Sequence, residues 1–374
     1  MLIGIDGNEA NVQNKVGVNK YAFELLWHIY KTQNVWKDEF RFEIFLKNKQ
    51  NGLPPESVYW KYRILPGRGM WIIKTLMPNL FFGKNRPDIF FTPSHYIPPL
   101  APMPRICSIM DLGYLKFSEQ FTRFDYWQLR LWSAWSIIVS KYIISISETT
   151  KKDIVRHYKF ASKKIAVTPL GHDNTALINK SNLKNVRRTL SKYKIQNKYL
   201  LFISTLKPSK NIEGLLVAWS KVEKDFPDTD LVIAGRKGWL YDPIFKKAKK
   251  LGITKRVIFT DFIPDKDKYT LISLAYGFIL PSFWEGFGID VVNAMAAGTP
   301  VIVSDRGSLP EVSGKASLVI DPYDTDDIAD KIRTLLTMPK KKYNKLVIKG
   351  KSQANKFKWE NTAAKTLEIF RKLK

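Results

Sequence analysis

FILPSFWEGFGIDVVNAMAAGTP, residues 278–300, is the stretch that decides the fold. It opens with Phe278–Leu280, an apolar run that predicts a buried strand. Glu285–Gly288 (EGFG) follows as a tight loop, because glycine permits backbone conformations and close approaches that a Cβ would block. Residues 289–297 have helical composition, and Gly298 is placed to end that helix. A strand, a loop and a helix in this order are typical of an α/β protein with a parallel sheet.

The helix that begins after this loop favours an anionic ligand. Its first backbone N–H groups have no helical partners, and the positive end of the helix dipole lies beside them. Glu285, just before the helix, can accept hydrogen bonds from the hydroxyl groups of a sugar. Ligands of open parallel sheets bind beyond the carboxyl ends of the strands, which is where this loop lies. A Glu-Gly-x-Gly loop alone would most often be an ordinary strand-to-helix turn with glycine for its geometry.

Short β-rich runs alternate with helical patterns along the whole chain, in two series. The first series of predicted strands is Leu2–Ile5, Phe42–Leu46, Ile89–Phe91, Arg105–Ile109 and Tyr142–Ser145. The second is Tyr199–Ile203, Asp230–Ala234, Val257–Thr260, Gly277–Leu280, Val301–Val303 and Ser317–Ile320. Repeated strand–helix alternation predicts parallel sheets with helices on both faces, so we expect two doubly wound domains.

The division between the two domains is predicted near Pro169–Asp173, where proline and glycine interrupt regular structure. The polar stretch from there to Asn185 predicts a linker. We therefore place a first domain at residues 1–172, a second at 173–352 and a C-terminal segment at 353–374. A last helix is expected over about Tyr343 to Lys374, with a bend near Phe357 and Trp359.

The composition is that of a globular protein with a strong excess of positive charge. Lys and Arg number 61 against 34 Asp and Glu, which gives a net charge of +27. This charge favours an anionic partner, such as nucleic acid, an anionic lipid surface or a phosphorylated substrate, although a solvated basic surface would also account for much of it. The single cysteine, Cys107, favours a reducing cytoplasm. We find no signal peptide, and no apolar run reaches the roughly 18–20 residues of a membrane span.

Several site classes are disfavoured by the sequence. Asp6–Glu9 (DGNE) stands after the first strand where a dinucleotide-binding enzyme would carry Gly-x-Gly-x-x-Gly. The four histidines lack metal-ligand spacing, so no metal site is predicted. No helix-turn-helix, zinc or RNA-recognition pattern supports a nucleic-acid binder. A sugar-nucleotide epimerase would need an array of acidic and histidine residues that we do not find.

The string from Pro281 to Val301 resembles the signature of the family 4 retaining glycosyltransferases, which have the GT-B fold. The matching residues are Pro281, Ser282, Glu285, Gly286, Phe287, Gly288, Ala294, Met295, Ala296, Gly298, Pro300 and Val301. Further landmarks of the family resemble Gly17–Tyr21, Pro169–Gly171, Lys207–Asn211, Gly235–Gly238 and Ser308–Val312. The resemblance thus extends over most of the chain.

The resemblance implies two Rossmann-like domains facing across a cleft, with the C-terminal helix packing back on the first domain. It implies transfer of a hexose, such as mannose, from a nucleotide diphosphate-sugar to a glycan or lipid-linked acceptor, with retention of configuration and without a metal or other cofactor. The catalytic residues that it implies are Asp111 and Glu285. The donor-binding residues that it implies are Lys210, Arg236, Glu285, Gly286, Phe287, Gly288, Ile289 and Asn293. Gly17 and Tyr21 would belong to a loop on the acceptor side.

Two positions depart from the family pattern. Asn293 stands where a second Glu would hold the ribose hydroxyls, and an amide gives a neutral hydrogen bond about half as strong as a charge-assisted one. Met110 stands before Asp111 where the family has a histidine near the reacting sugar. The alternative to a transferase is therefore a catalytically impaired binding protein of the same fold. Lys207 is expected to restore a charge that Ser209 lacks in the phosphate turn.

Three stretches combine aromatic and basic residues: Val58–Arg63, Trp71–Leu76 and Phe121–Trp135. Such composition suits a membrane interface or a lipid-linked acceptor. Core packing is an equal alternative, because aromatic residues at helical spacing often face inward, and stacking on sugar rings is a third use. We expect a cytoplasmic protein that associates peripherally with an anionic inner membrane surface.

Overall fold

The computed structural model describes residues 1–173 and 183–374. These residues form two compact units, one of Met1–Gly171 with Lys358–Lys374 and one of His172–Phe357. The sequence analysis placed the boundary between the first and second domains after residue 172, one residue later than in the structure. It placed the start of the C-terminal segment at residue 353, five residues earlier than in the structure. Residues 174–182 of the predicted linker lie outside the described residues, and from Leu183 onward the chain is helical.

The first unit is built on a seven-stranded parallel sheet in the order β3-β2-β1-β4-β5-β6-β7. Its strands are β1 Leu2–Asp6, β2 Arg41–Leu46, β3 Trp60–Ile64, β4 Ile89–Thr92, β5 Arg105–Ile109, β6 Tyr142–Ser145 and β7 Ile165–Val167. Its helices before the second unit are α1 Val18–Lys31, α2 Gln33–Trp36, α3 Met77–Phe82, α4 Arg123–Val139 and α5 Glu148–His157. A π-helical turn at Ile72–Leu76 and 3-10 turns at Gly113–Leu115, Ser118–Gln120 and Lys159–Lys164 complete it. Two edge strands, β3 and β7, are additions to the predicted set.

The second unit has a six-stranded parallel sheet in the order β10-β9-β8-β11-β12-β13. Its strands are β8 Lys198–Ile203, β9 Thr229–Ala234, β10 Val257–Phe259, β11 Gly277–Leu280, β12 Val301–Ser304 and β13 Ser317–Ile320. Its helices are α6 Leu183–Lys192, α7 Ile212–Ser220, α8 Asp242–Lys250, α9 Asp265–Leu274, α10 Ile289–Ala297, α11 Leu309–Ser313, α12 Thr325–Leu336 and α13 Lys340–Ala354. A 3-10 turn covers Pro208–Lys210. The predicted α/β class with two parallel sheets is confirmed.

The C-terminal part consists of two helices, α13 and α14 (Trp359–Arg371), so the single helix predicted from Tyr343 is wrong. Two aromatic anchors in different units account for the break between them. The Phe357 ring packs edge-on against Phe287 in the second unit, with 5.5 Å between centroids. Trp359 is buried in the first unit, where its ring stacks on His28 at 6.3 Å. Helix α14 therefore belongs to the first unit, as the resemblance implied.

Each sheet has a switch point between two neighbouring parallel strands. The chain connections that leave these two strands lead to opposite halves of the sheet. In the first unit this point lies between β1 and β4, and in the second between β8 and β11. Loops at the carboxyl ends of such strand pairs diverge and leave a crevice, which is the usual ligand position in open parallel sheets. The two crevices are the places to examine for functional side chains.

Candidate functional site

The loop after β11 has the backbone that its glycines predicted. Gly288 has φ +87° immediately before α10, and a Cβ there would lie 2.6 Å from Leu309 Cδ2. Side chains are excluded at this position both by the left-handed backbone and by the packing of Leu309. Gly286 and Phe287 are buried and Ile289 is half-buried, so this part of the predicted donor site is a packed turn.

An ion pair occupies the switch point of the second unit. Lys210 Nζ lies 2.6 Å from Glu285 Oε1, and the two side chains are only 12% and 13% exposed. Ser282 Oγ donates a second hydrogen bond to the same oxygen at 2.8 Å. The N–H of Phe283 donates to Ser209 O at 3.0 Å, which ties the loop after β11 to the turn after β8. Sequence motifs 75 residues apart are thus brought together in the structure.

The backbone of Glu285 is held from a third loop, which follows β12. The N–H and the hydroxyl of Ser308 both donate to Glu285 O, at 3.0 and 3.1 Å. Gly307 has φ +63°, and a Cβ there would come within 2.6 Å of the same carbonyl oxygen. The sequence did not single out Gly307, although a glycine directly after a strand next to β11 was the available signal.

Arg236 lies in the turn after β9 and is exposed. Its carbonyl accepts from the N–H of Leu206 at 2.9 Å, which joins this turn to the one after β8 that leads to Lys210. Arg236 therefore stands at the same edge of the sheet as Lys210. Its predicted role towards a nucleotide stays a prediction. Lys207, expected to supply charge nearby, has its Nζ 4.6 Å from the centroid of the Trp239 ring.

Asn293 is fully buried, and both the oxygen and the nitrogen of its side-chain amide form hydrogen bonds. Its Oδ1 accepts from the N–H of Asp173 at 3.0 Å, and its Nδ2 donates to Asp290 Oδ1 at 3.2 Å. Asp290 lies in the first turn of α10 and also pairs with Lys268, at 3.3 Å. The amide thus ties α10 to the segment that enters the second unit. The predicted contact of Asn293 with a ribose stays a prediction.

The predicted residues of the first unit have local partners. Gly17, with φ +52°, precedes α1, and no atom lies within 4 Å of the place of a Cβ. Tyr21 is fully buried, its hydroxyl lies 2.9 Å from Ser108 Oγ, and burial raises its pKa. Asp111 is exposed and accepts from the N–H of Gly113 at 2.8 Å, which caps the short turn after β5. Of these three residues, Gly17 and Asp111 therefore offer surface to a ligand.

A cavity of about 890 Å³ lies within the first unit, at the carboxyl ends of β1, β2 and β4. Asp6, Asn8, Glu9 and Lys47 line one part of it, and α4 with residues 70–73 forms another. Burial raises the pKa of Asp6; burial and the nearby Asp6 raise that of Glu9. Sequence reasoning used Asp6–Glu9 only to exclude a dinucleotide motif. Its position after the first strand of a doubly wound domain was the signal for a site.

Two classes of feature are absent from residues 1–173 and 183–374. No three histidine, cysteine, aspartate or glutamate side chains are grouped so that they could hold a metal ion. None of the helices in this part of the chain is both long enough and apolar enough to cross a membrane.

The paired loops at the switch point of the second unit lie within a segment that matches a known family. The sequence model described as Glycosyl transferases group 1 matches residues 187–353. Residues 187–353 are thus similar to the group 1 glycosyl transferases. O-antigen chain mannosyltransferase B of Escherichia coli is 28% identical over 321 residues, which cover 83% of this chain and 79% of that relative. The protein is thus an enzyme, a hexosyltransferase.

Solved structures confirm the GT-B fold class. Sucrose-phosphate synthase from Thermosynechococcus elongatus superposes with a TM-score of 0.77 at 18% identity, over 100% of this chain and 98% of the other. HepE of Anabaena, solved in complex with UDP and glucose, gives a TM-score of 0.74 at 16% identity, over 99% of both chains. At such identities the likeness shows the fold of this chain and nothing finer.

Proposed function

We propose that this hexosyltransferase transfers mannose from a nucleotide diphosphate-sugar to a glycan or lipid-linked acceptor, with retention of configuration. The observation that carries the proposal is the buried pair of Lys210 and Glu285 at the switch point of the second unit. A cation and a carboxylate side by side suit a ligand in which a diphosphate is joined to a hydroxyl-rich sugar. Mannose is supported by the name of the Escherichia coli relative, and a nucleotide donor by the UDP in HepE.

Lys210 would stabilise the diphosphate, on which negative charge grows as its bond to the sugar breaks. The first turn of α10 would add the positive end of the helix dipole. These cationic groups support a reaction that needs no metal. Glu285, fixed through both its side chain and its backbone, would accept hydrogen bonds from the sugar and orient it.

Retention is proposed because no protein nucleophile is required when the leaving diphosphate itself helps to deprotonate the acceptor. The acceptor then attacks the face from which the diphosphate departs. The chain's own contribution is the positioning of both substrates and the stabilisation of charge. Asp111 and Gly17 in the first unit are proposed to lie on the acceptor side.

We also propose that the protein acts in the cytoplasm at the inner face of a membrane. Support comes from the exposed aromatic and aliphatic side chains of α4, including Phe124 at 76%, Trp127 at 52% and Leu131 at 64% exposure. A net charge of +27 favours an anionic lipid surface over a neutral one.

The donor proposal is tested by a thermal-shift screen of the protein against UDP-, GDP- and ADP-sugars. We expect one nucleotide to raise the melting temperature, and Lys210→Met to weaken its binding by roughly 10- to 100-fold, since a hydrogen bond from a charged group contributes about 1.5–3 kcal/mol. The matched control is Lys246→Met, which removes an exposed lysine of α8 and should leave the affinity unchanged.

Transfer is then assayed with the best donor and a mannose-containing acceptor, with and without a chelator. The proposal expects chelator-insensitive transfer, and NMR of the product should show the anomeric configuration of the donor. Inversion of configuration, loss of activity with the chelator, or equal donor affinity in Lys210→Met and the native protein would each contradict the corresponding part of it.

A further inference from the structure

Two polar residues on one face of α10 differ in their access to solvent. Asp290 lies in the first turn of the helix, and its side chain is 20% exposed. Asn293 follows at a spacing of three residues, which places it on the same face, but it is fully buried. A ligand that approaches this face of α10 can therefore reach the carboxylate of Asp290 and not the amide of Asn293.

The amide of Asn293 is bound to the protein at both of its polar atoms. Its Oδ1 accepts from the N–H of Asp173 at 3.0 Å, and its Nδ2 donates to Asp290 Oδ1 at 3.2 Å. Asp173 is itself buried and accepts from the hydroxyl of Tyr269 on α9. A ribose that took the place of these partners would leave the buried N–H of Asp173 without an acceptor, which is costly. Asn293 is therefore poorly suited to hold a ligand directly.

The carboxylate of Asp290 is held in a fixed direction by two donors. One is Nδ2 of Asn293, from the next turn of the same helix. The other is Nζ of Lys268 on α9, which lies 3.3 Å from Asp290 Oδ1 and belongs to a side chain only 13% exposed. Both donors address Oδ1, and neither uses Oδ2. Because a carboxylate offers about four acceptor positions, Asp290 keeps the capacity to accept from hydroxyl groups of a ligand.

The chemistry of the proposed donor indicates which hydroxyl groups these are. Lys210 and Glu285 suit the diphosphate and the transferred sugar, and the first turn of α10 follows directly after the loop that carries Glu285. The next part of a nucleotide diphosphate-sugar, beyond the diphosphate, is a ribose with two adjacent hydroxyls, which match the two oxygens of a carboxylate. A carboxylate close to a diphosphate would repel it, but the ion pair with Lys268 compensates the charge of Asp290.

We infer that Asp290 accepts hydrogen bonds from the ribose hydroxyls of the donor, and that Asn293 is a positioning residue that orients the Asp290 carboxylate. The inference rests on the proposed nucleotide-sugar donor, and it reverses the direct ribose contact that the resemblance implied for Asn293. A glutamate at position 293, as in the family pattern, would place a second carboxylate directly against that of Asp290, and like charges at a buried site are unfavourable. An amide at position 293 instead donates to Asp290, which explains the departure from the pattern.

The test compares UDP, GDP or ADP, whichever the thermal-shift screen selects, with its 2′,3′-dideoxy analogue by calorimetry. The native protein should bind the analogue roughly 10- to 100-fold more weakly, because the hydrogen bonds to a carboxylate are lost. Asp290→Asn should lower this affinity ratio by about tenfold, since a neutral acceptor replaces a charged one. The matched control is Asp326→Asn, which removes an aspartate from the first turn of α12, where its side chain is 76% exposed, and should keep the native ratio.

Two further variants separate direct contact from positioning. Asn293→Glu should lower the affinity ratio, whereas a ribose contact at position 293 would raise it. The double variant Asp290→Asn with Asn293→Asp exchanges the carboxylate and the amide, so a hydrogen bond between the two positions is kept. Its free energy of unfolding in urea should be close to that of the native protein, while its affinity ratio stays as low as in Asp290→Asn. This double variant serves if either single variant does not fold.

The inference is overturned by equal affinity of the native protein for the two nucleotides, by a native ratio in Asp290→Asn or the double variant, or by a raised ratio in Asn293→Glu. Transfer by a native protein that binds both nucleotides equally leaves the proposed function standing while the inference fails. If the ratio depends on Asp290 as expected but no nucleotide-sugar supports transfer, the proposed function fails and the ribose contact stands. Absence of any nucleotide binding overturns both.

Discussion

At the level of single residues, the candidate donor site depends on one ion pair. Lys210 and Glu285 are largely removed from water, and each compensates the charge of the other. Removing one partner of such a pair leaves an uncompensated buried charge, which is more destabilising than the pair is stabilising. In the proposed reaction, the diphosphate would offer Lys210 a stronger partner, and the sugar hydroxyls would offer hydrogen bonds to Glu285. The pair would therefore keep both groups in position for the proposed donor.

The resemblance singled out Lys210 and Glu285 separately as donor residues, whereas their ion pair and the environment of Asn293 are seen only in the structure. Lys210 and Glu285 follow from short motifs with a definite place after parallel strands, so their proximity is a consequence of strand order. The state of Asn293 depends on Asp173, 120 residues away, whose N–H it accepts. The helical spacing of Tyr21 with other apolar residues indicated a buried face of α1, but not that the Tyr21 hydroxyl would lie against Ser108. Contacts between distant segments are set by packing, and periodicity carries no information about them.

His95 makes a prediction about stability in acid. Burial lowers the pKa of His95 to about 4, and its Nε2 has no hydrogen-bond partner among the described residues. The unfolded chain takes up this proton near pH 6.5, whereas the folded protein resists it until about pH 4. The free energy of unfolding should thus fall, on the order of 3 kcal/mol, as the pH decreases across this interval.

The measurement is urea denaturation of the native protein and His95→Gln across that interval of pH. His95→Gln should lose less stability than the native protein towards acid, because a glutamine takes up no proton. The carboxyl groups are the same in both proteins, so their contributions cancel in the comparison. His157→Gln, at an exposed histidine of the same unit, should behave as the native protein does. If the free energy of unfolding fell in parallel with pH in the native protein and in His95→Gln, His95 would not be the cause of the loss of stability in acid.

At the level of elements, the sequence predicted the positions of the strands better than it predicted whether aromatic side chains face the core or the solvent. Of the aromatic stretches, Val58–Arg63 contributes the buried Trp60 of β3, and Trp71 is also buried. Helix α4 instead exposes several of its large side chains, among them Phe124, Trp127 and Trp135. Composition could not decide between these outcomes, because the same residues suit a core and a membrane interface. The buried face of α4 combines the small Ser133 and Ser136 with Ile137, which packs in the core of the first unit.

Helix α10 and its loop give a prediction about Gly288. Both Gly288 (φ +87°) and Gly252 (φ +72°) require left-handed backbone, but only at Gly288 would a Cβ meet another side chain, Leu309 at 2.6 Å. Gly252→Ala should therefore cost about 1–2 kcal/mol of unfolding free energy from backbone strain alone. Gly288→Ala should cost more, by about 1–3 kcal/mol, because Leu309 must move within a packed core.

Urea denaturation of the two alanine variants measures the difference directly, since Gly252 has no atom within 4 Å of the Cβ position and supplies the strain alone. Gly288→Ala should also weaken donor binding, because the loop that it distorts holds Glu285. If both substitutions lowered the free energy of unfolding equally, the Leu309 side chain could move away from the new Cβ with no loss of stability. In that case the packing of Leu309 could not explain why a glycine precedes α10.

At the level of the whole molecule, two features would contribute to the proposed membrane association. A net charge of +27 attracts anionic lipid over distances set by salt, about 8 Å at 0.15 M and about 3 Å at 1 M. The exposed apolar side chains of α4 act only on contact, and salt does not screen them. Membrane binding should accordingly consist of a salt-sensitive part, spread over the basic surface, and a salt-resistant part that belongs to α4.

Vesicle flotation at low and high salt separates the two parts. We expect native protein to float with anionic vesicles at low salt and to retain a fraction at high salt. A double variant, Trp135→Gln with Ile138→Asn, removes side chains that are 42% and 53% exposed and should abolish only the salt-resistant fraction. Ile348→Asn leaves α4 intact and should float as the native protein does.

Complete release of native protein at high salt would limit the interaction to charge, whereas absence of binding at low salt would exclude a membrane role for either feature. Loss of low-salt binding in the double variant would instead place the electrostatic contact on α4 itself, beside Arg130.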